Sequence, residues 1–159
     1  MESKDRTKLV DFVNQLVGLL SAEEKQGLIN GLISQDQPGI PLSIFKNKQL
    51  SGLEAIVLYL RQQNQTISQI SSFLNRKPST IYTTYNNARK KFTTKLIPSK
   101  TSFLIPLKIF SDRKFSILES LIHYLKIIHH LPLTKVAILL DKNYNTIKTV
   151  YRRYNQKCQ

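Results

Sequence analysis

With 159 residues, 41 % of them hydrophobic, the chain can build one domain of ordinary size or two or three very small ones. Its longest apolar stretches are broken by Lys, Arg, Asn or Gln, which excludes a bilayer-spanning helix. The net charge of +14 is unevenly spread: residues 1–39 carry −2 and residues 40–159 carry +16, a cationic body suited to a polyanion, most often nucleic acid.

The opening "MESKDRTK" lacks the basic region and apolar stretch of a signal peptide. A lone Cys158 cannot pair internally, which fits a reducing cytoplasm. Residues 1–39 read as an acidic helical hairpin. Leu9, Phe12, Val13, Leu16, Val17 and Leu20 share one wide apolar face. Ser21 and Glu24 have the spacing of a capping box, which opens a second helix carrying Leu28, Ile29, Leu32 and Ile33; "QDQPG" ends it. So short a segment has little core of its own. It is expected to pack on the first repeat as a lid, or to form a homodimer.

From residue 40 onward the chain is written twice. "IPLSIFKNKQLSGLEAIVLYL" (40–60) aligns with "IPLKIFSDRKFSILESLIHYL" (105–125) at an offset of 65, and one extra residue near "IIHHLP" makes it 66 thereafter. In each copy an S-x-x-E box, Ser51–Glu54 or Ser116–Glu119, opens a helix. Leu53, Ile56, Val57 and Leu60 follow at helical spacing, as do Leu118, Leu121, Ile122 and Leu125. A short second helix comes next, "TISQISSFLN" with Thr66 as N-cap, or "PLTKVAILLD" with Pro132 in its first turn. Small Ser71 and Ala137 allow a close helix crossing, and Asn75 and Asp141 tolerate the left-handed backbone of a tight turn. About three residues then lead to a third helix, the spacing of a helix-turn-helix. The first repeat is thus 40–92, a polar linker 93–104 follows, and the second repeat is 105–159. The linker can reach about 40 Å, comparable with the roughly 34 Å of one DNA turn.

The third helices divide into two faces. Ile81, Tyr85, Ala88 and Phe92, and in the second copy Ile147, Val150, Tyr151 and Tyr154, recur at spacings that bury them. The opposite faces carry the candidate base readers: Ser79, Thr80, Tyr82, Thr83 and Asn86, then Asn145, Thr146, Lys148, Thr149 and Arg152. Asn pairs with adenine, Lys or Arg with guanine, and a threonine methyl meets thymine. The first set suits A·T contacts, and the second accepts guanine or grips phosphate. Arg76, Lys77, Arg89, Lys90, Lys142, Asn143 and Arg153 are candidate phosphate contacts, which position without specifying.

The stretch "ISQISSFLNRKPSTIYTTYNNARKKF" (67–92) resembles region 4 of bacterial sigma factors and the DNA-binding domains of LuxR-type regulators. The shared pattern is apolar-small-x-apolar-apolar, a turn, Ser-Thr-apolar, and a basic end. The second copy departs from it, with Asn145 at the place of Ser79 and Tyr154-Asn155 at that of Ala88-Arg89. The resemblance covers 50–92 and 115–157 and implies DNA binding through the third helix. On the sigma side it also implies contact with RNA polymerase. No segment like the promoter-melting region of sigma factors is present, so a complete sigma factor is not expected.

Catalysis has weak support. His123, His129 and His130 lack Cys, Asp or Glu at metal-ligand spacing. His123 follows its helix's packing pattern, and the two box glutamates are explained by capping. The expectation is an all-α, cytoplasmic, nucleoid-associated protein without enzymatic activity, metal or cofactor. An N-terminal helical hairpin precedes two tandem helix-turn-helix units of three to four helices each. Double-stranded DNA is the expected partner and transcriptional regulation the role. An architectural nucleoid protein, an RNA binder and a sigma-like polymerase partner are the alternatives.

Overall fold

The computed structural model describes residues 12, 15, 16, 18–21, 23, 24, 38–99 and 103–159. The chain divides into two compact units, Met1–Asp36 and Gln37–Gln159. In the first unit the Ser21–Glu24 box is formed: the Glu24 N–H donates to Ser21 Oγ at 3.2 Å and the Ser21 N–H to Glu24 Oε2 at 2.8 Å. Phe12, Leu16 and Leu19 lie on a helical stretch with exposed side chains. The rest of the expected hairpin, including Leu9, Val13, Val17 and the helix after the box, lies outside the described residues.

The second unit is largely helical, with six α-helices among the described residues. Copy one holds α1 (Gly52–Gln62), α2 (Ile67–Leu74) and α3 (Pro78–Lys91), and copy two holds α4 (Ile117–Ile127), α5 (Leu133–Leu140) and α6 (Tyr144–Cys158). Both expected capping boxes open their helices, with Ser51 and Glu54 on α1 and Ser116 and Glu119 on α4. Thr66 caps α2 in a further box completed by Gln69. Pro132 sits at the N-cap of α5 rather than inside its first turn.

The largely helical fold agrees with the all-α expectation, to which the structure adds one small sheet. Gly39–Pro41 (β1) and Leu104–Pro106 (β2) pair as a small antiparallel sheet, each followed by a 3-10 helix, Leu42–Lys46 and Leu107–Phe110. Proline at 41 and 106 lacks the N–H that a helix interior requires, and its ψ of 128° or 132° leaves the backbone extended where each strand ends. The register gives the symmetry away. Ile40 pairs with Ile105, its own counterpart in the repeat, and the flanking pairs Gly39–Pro106 and Pro41–Leu104 exchange partners about that point. Such a register describes a pseudo-two-fold axis.

Packing follows the same axis. Phe45 meets its counterpart Phe110 with ring centroids 5.9 Å apart. Each 3-10 helix packs not only on its own copy's first helix but also on the second helix of the other copy. Buried residues of both copies, from Ile40 to Ile147, form one continuous core. The two repeats are therefore fused, each completing the other. This suits units of about fifty residues, which bury too small a fraction of their surface alone. The linker is held as well: Leu96 is buried and its N–H donates to Gln62 Oε1 at 3.2 Å, while the Ser99 N–H donates to Ser43 Oγ at 3.1 Å.

At the axis, Gly52 of copy one faces a larger counterpart in copy two, and Gly39, just before copy one, faces Leu104, just before copy two. A Cβ on Gly52 would stand 2.8 Å from Ile117 Cγ2, and one on Gly39 would stand 3.3 Å from Leu104 Cβ. Gly52 and Ile117 occupy equivalent repeat positions, as do Gly39 and Leu104. Where the helix starts meet, the space next to Ile117 is left free by the missing side chain of Gly52.

Candidate nucleic-acid interface

The turn between the second and third helices is built identically in both copies. Asn75 has φ 50° and ψ 48°, and Asp141 has φ 50° and ψ 49°, the left-handed region that Asn and Asp enter more readily than most residues. The following N–H reaches back five residues, Arg76 to the Ser71 carbonyl at 3.1 Å and Lys142 to the Ala137 carbonyl at 3.0 Å. This is a Schellman closure, which satisfies carbonyls otherwise left open at a helix end. Ala137 is buried as its small size anticipates, and half-buried Ser71 donates its hydroxyl to the Arg76 carbonyl.

On the third helices, Ile81, Ala88 and Ile147 are fully buried, and Tyr85, Val150, Tyr151 and Tyr154 are half-buried. The guanidinium of Arg61 lies 5.2 Å from the Tyr85 ring centroid, and Lys126 lies 5.7 Å from that of Tyr151. These tyrosines are packing residues with a cation over one face, a contact worth about 0.5–1 kcal/mol where water reaches it. In copy two the place of Ala88 is filled by Tyr154, whose ring stacks between Phe115 and His123, at 4.1 and 4.0 Å. Burial lowers the pKa of His123 and so favours the neutral ring. His130 has φ 50°, the left-handed conformation also found at Asn64 in copy one, and it absorbs the turn that follows α4.

Of the candidate base readers, Ser79, Thr80, Tyr82, Thr83, Asn145, Thr146, Lys148 and Arg152 are exposed. Asn86 and Thr149 are half-buried at the margin of those faces. Among the candidate phosphate contacts, Lys77, Arg89, Lys90 and Arg153 are exposed. Arg89 leans toward the Tyr85 ring, at 5.9 Å. Asn143 has a structural duty, capping α6 by accepting the Asn145 N–H at 2.8 Å. Lys142 is half-buried and lines a cleft between the copies beside Ser51, Gly52 and Ile117. Arg76 is half-buried, with its Nε sealed from solvent and without a hydrogen-bond partner among the described residues.

One repeated contact has no counterpart in the reading of the sequence. Lys91 Nζ, at the end of α3, lies 2.7 Å from Glu54 Oε1, and Lys157 Nζ, at the end of α6, lies 2.7 Å from Glu119 Oε2. The same carboxylates close the capping boxes, so each ties the far end of the exposed helix to the start of the core helix. Burial pushes both carboxyls up, but hydrogen bonds from the lysine and the box serine, with the lysine charge, outweigh it and leave both below the ordinary glutamate value. A repeated Lys at the helix end, matched to a repeated box Glu, was the available signal.

Among the described residues, no three His, Cys, Asp or Glu side chains converge as metal ligands would, and no helix is long and apolar enough to cross a membrane. Comparison with protein-family models, with curated proteins and with solved structures found no match.

Proposed function

We propose that the chain binds double-stranded DNA through two helix-turn-helix units, α2–α3 and α5–α6, fused as an intramolecular pseudo-dimer, and that it regulates transcription. The observation that carries this is the doubling itself. A Schellman turn followed by an exposed helix of Ser, Thr, Asn, Lys and Arg occurs twice, related by a pseudo-two-fold axis, in a body of charge +16. A duplex has its own two-fold axes, and a protein with matching symmetry meets inverted half-sites. The two readers differ, one uncharged at its centre and the other carrying Lys148 and Arg152, so the halves of the target differ in sequence. The sigma region 4 resemblance adds RNA polymerase as a second partner to test.

Selection of bound sequences from random duplex DNA, using the whole chain, is the direct test. An imperfect inverted repeat is expected, richer in A·T in the half read by α3. Enrichment of a direct repeat contradicts the symmetric arrangement. Enrichment of nothing, with tight binding retained, points to the architectural alternative, and preference for RNA over duplex DNA replaces the partner.

A further inference from the structure

At the turn of copy one, an open cleft is lined by Ser71, Ser72, Asn75, Arg76, Lys77 and Arg113. Arg113 belongs to copy two and reaches the cleft through the reciprocal packing about the axis. Three cationic side chains therefore line one cleft, and none of them takes part in a salt bridge among the described residues. Asp112, the neighbouring acid, is turned to its own loop, where Oδ1 accepts the Lys114 N–H at 2.9 Å. Burial and then the charge of Arg113 pull the Arg76 guanidinium below its ordinary pKa, the mark of a cation left uncompensated.

The equivalent corner of copy two is satisfied from within. Lys48 stands where the repeat places Arg113, and Asp141 stands where it places Asn75. Lys48 Nζ and Asp141 Oδ2 form an ion pair at 3.0 Å. The helix that follows is capped by Asn143, whereas Lys77 at the same position on α3 offers no side-chain cap. Each demand that copy two answers with its own oxygen, a counter-ion for the inter-copy cation and an acceptor for the helix start, is left open in copy one. An anion seated in the cleft answers the first of these, the counter-ion.

We propose that Arg76, Lys77 and Arg113 form a site for one backbone phosphate of a nucleic acid, made jointly by the two copies and open on the copy-one side alone. It rests on the DNA-binding reading and adds a ligand, Arg113, from outside the helix-turn-helix that it serves. Tetrahedral phosphate oxygens match the guanidinium fork of Arg113, with Arg76 and Lys77 lining the same cleft.

The test is the salt dependence of duplex binding by the whole chain and its variants, with thermal midpoints to certify folding. Each phosphate neutralised contributes about 0.9 to the slope of log K against log salt. Arg113→Gln is expected to reduce the slope by about that amount. Asn75→Asp, which copies Asp141 into the first corner, should do the same, and the double variant should fall no further. Asp141→Asn, which opens the second corner, should steepen it. A parent with a steep slope that neither Arg113→Gln nor Asn75→Asp changes overturns the site. A parent that binds no duplex overturns the DNA-binding reading instead. Titration with inorganic phosphate at constant ionic strength separates a free anion from a backbone one. Saturable binding lost in Arg113→Gln, with the duplex slope unchanged, would assign the cleft to free phosphate and overturn the backbone assignment.

Discussion

Glu54 and Glu119 each hold two positions at once, closing a capping box and receiving a lysine from the far end of the exposed helix. Both carboxylates are largely buried while their lysines are half in solvent, so the energy resides in hydrogen bonds to a buried charge rather than in a surface ion pair. Losing such a bond costs about 1.5–3 kcal/mol. Because the folded-state pKa values are lowered, their contribution is fully present above the ordinary glutamate value of about 4.3 and is lost as pH falls through the lower folded values. Thermal midpoints measured from pH 6 to about pH 3 should fall more steeply for the parent than for a Glu54→Gln, Glu119→Gln double variant. Near pH 6 the variant should be the less stable of the two. Parallel curves would mean that these carboxylates titrate alike in the folded and unfolded chain. The boxes are legible in the sequence because Ser and Glu three residues apart act locally. The lysine partners are not, since residues 37 and 38 positions away meet them only after the third helix folds back.

Helices meet at the axis through a mismatch that single-copy reasoning cannot supply. Gly52 begins α1, where Gly→Ala would ordinarily favour the helix by up to about 1 kcal/mol. Here the added Cβ would stand 2.8 Å from Ile117 Cγ2, and overpacking of this kind costs about 1–3 kcal/mol. Gly52→Ala should therefore destabilise the parent and become neutral or favourable in an Ile117→Ala background, a coupling read by chemical denaturation of the four proteins of the cycle. Additive effects would show that the two helix starts do not touch. Helix limits, the small residue at each crossing and the left-handed Asn75 and Asp141 are visible in the sequence, because caps, periodicity and turn chemistry are local. The strands are hidden because three residues ending in proline leave no alternating pattern. Arg113 stays hidden as a neighbour of Arg76 in one cleft because its reach depends on 3-10 helices packing across the axis.

Fusion of the two copies changes what the linker can do for the whole molecule. Joined by residues 93–104 alone, α3 and α6 would take up variable separations, and on the proposed function the second unit would be raised only to an effective concentration of about the millimolar range. A shared core and a strand pair centred on Ile40 and Ile105 remove that freedom, so the separation of α3 and α6 belongs to the fold. On the proposed DNA-binding function, inserting five base pairs between the half-sites turns one groove through roughly half a helical turn, away from the helix meant to enter it. Affinity should then fall to that of a single half-site plus non-specific phosphate contacts, and inserting ten base pairs should not restore it. Within the unaltered site, Thr83→Ala with Asn86→Ala should relax sequence preference in one half only. Lys148→Ala with Arg152→Ala should relax the other, with a larger loss of affinity and a shallower salt slope because charge is removed. Footprints of the parent and both double variants on the selected site, its five-base-pair and its ten-base-pair insertions measure all of this together. A parent that binds the three spacings equally would show that one copy reads DNA by itself. Loss of reading in the first half alone, with the Lys148 and Arg152 variant unchanged, would assign copy two to holding copy one in shape.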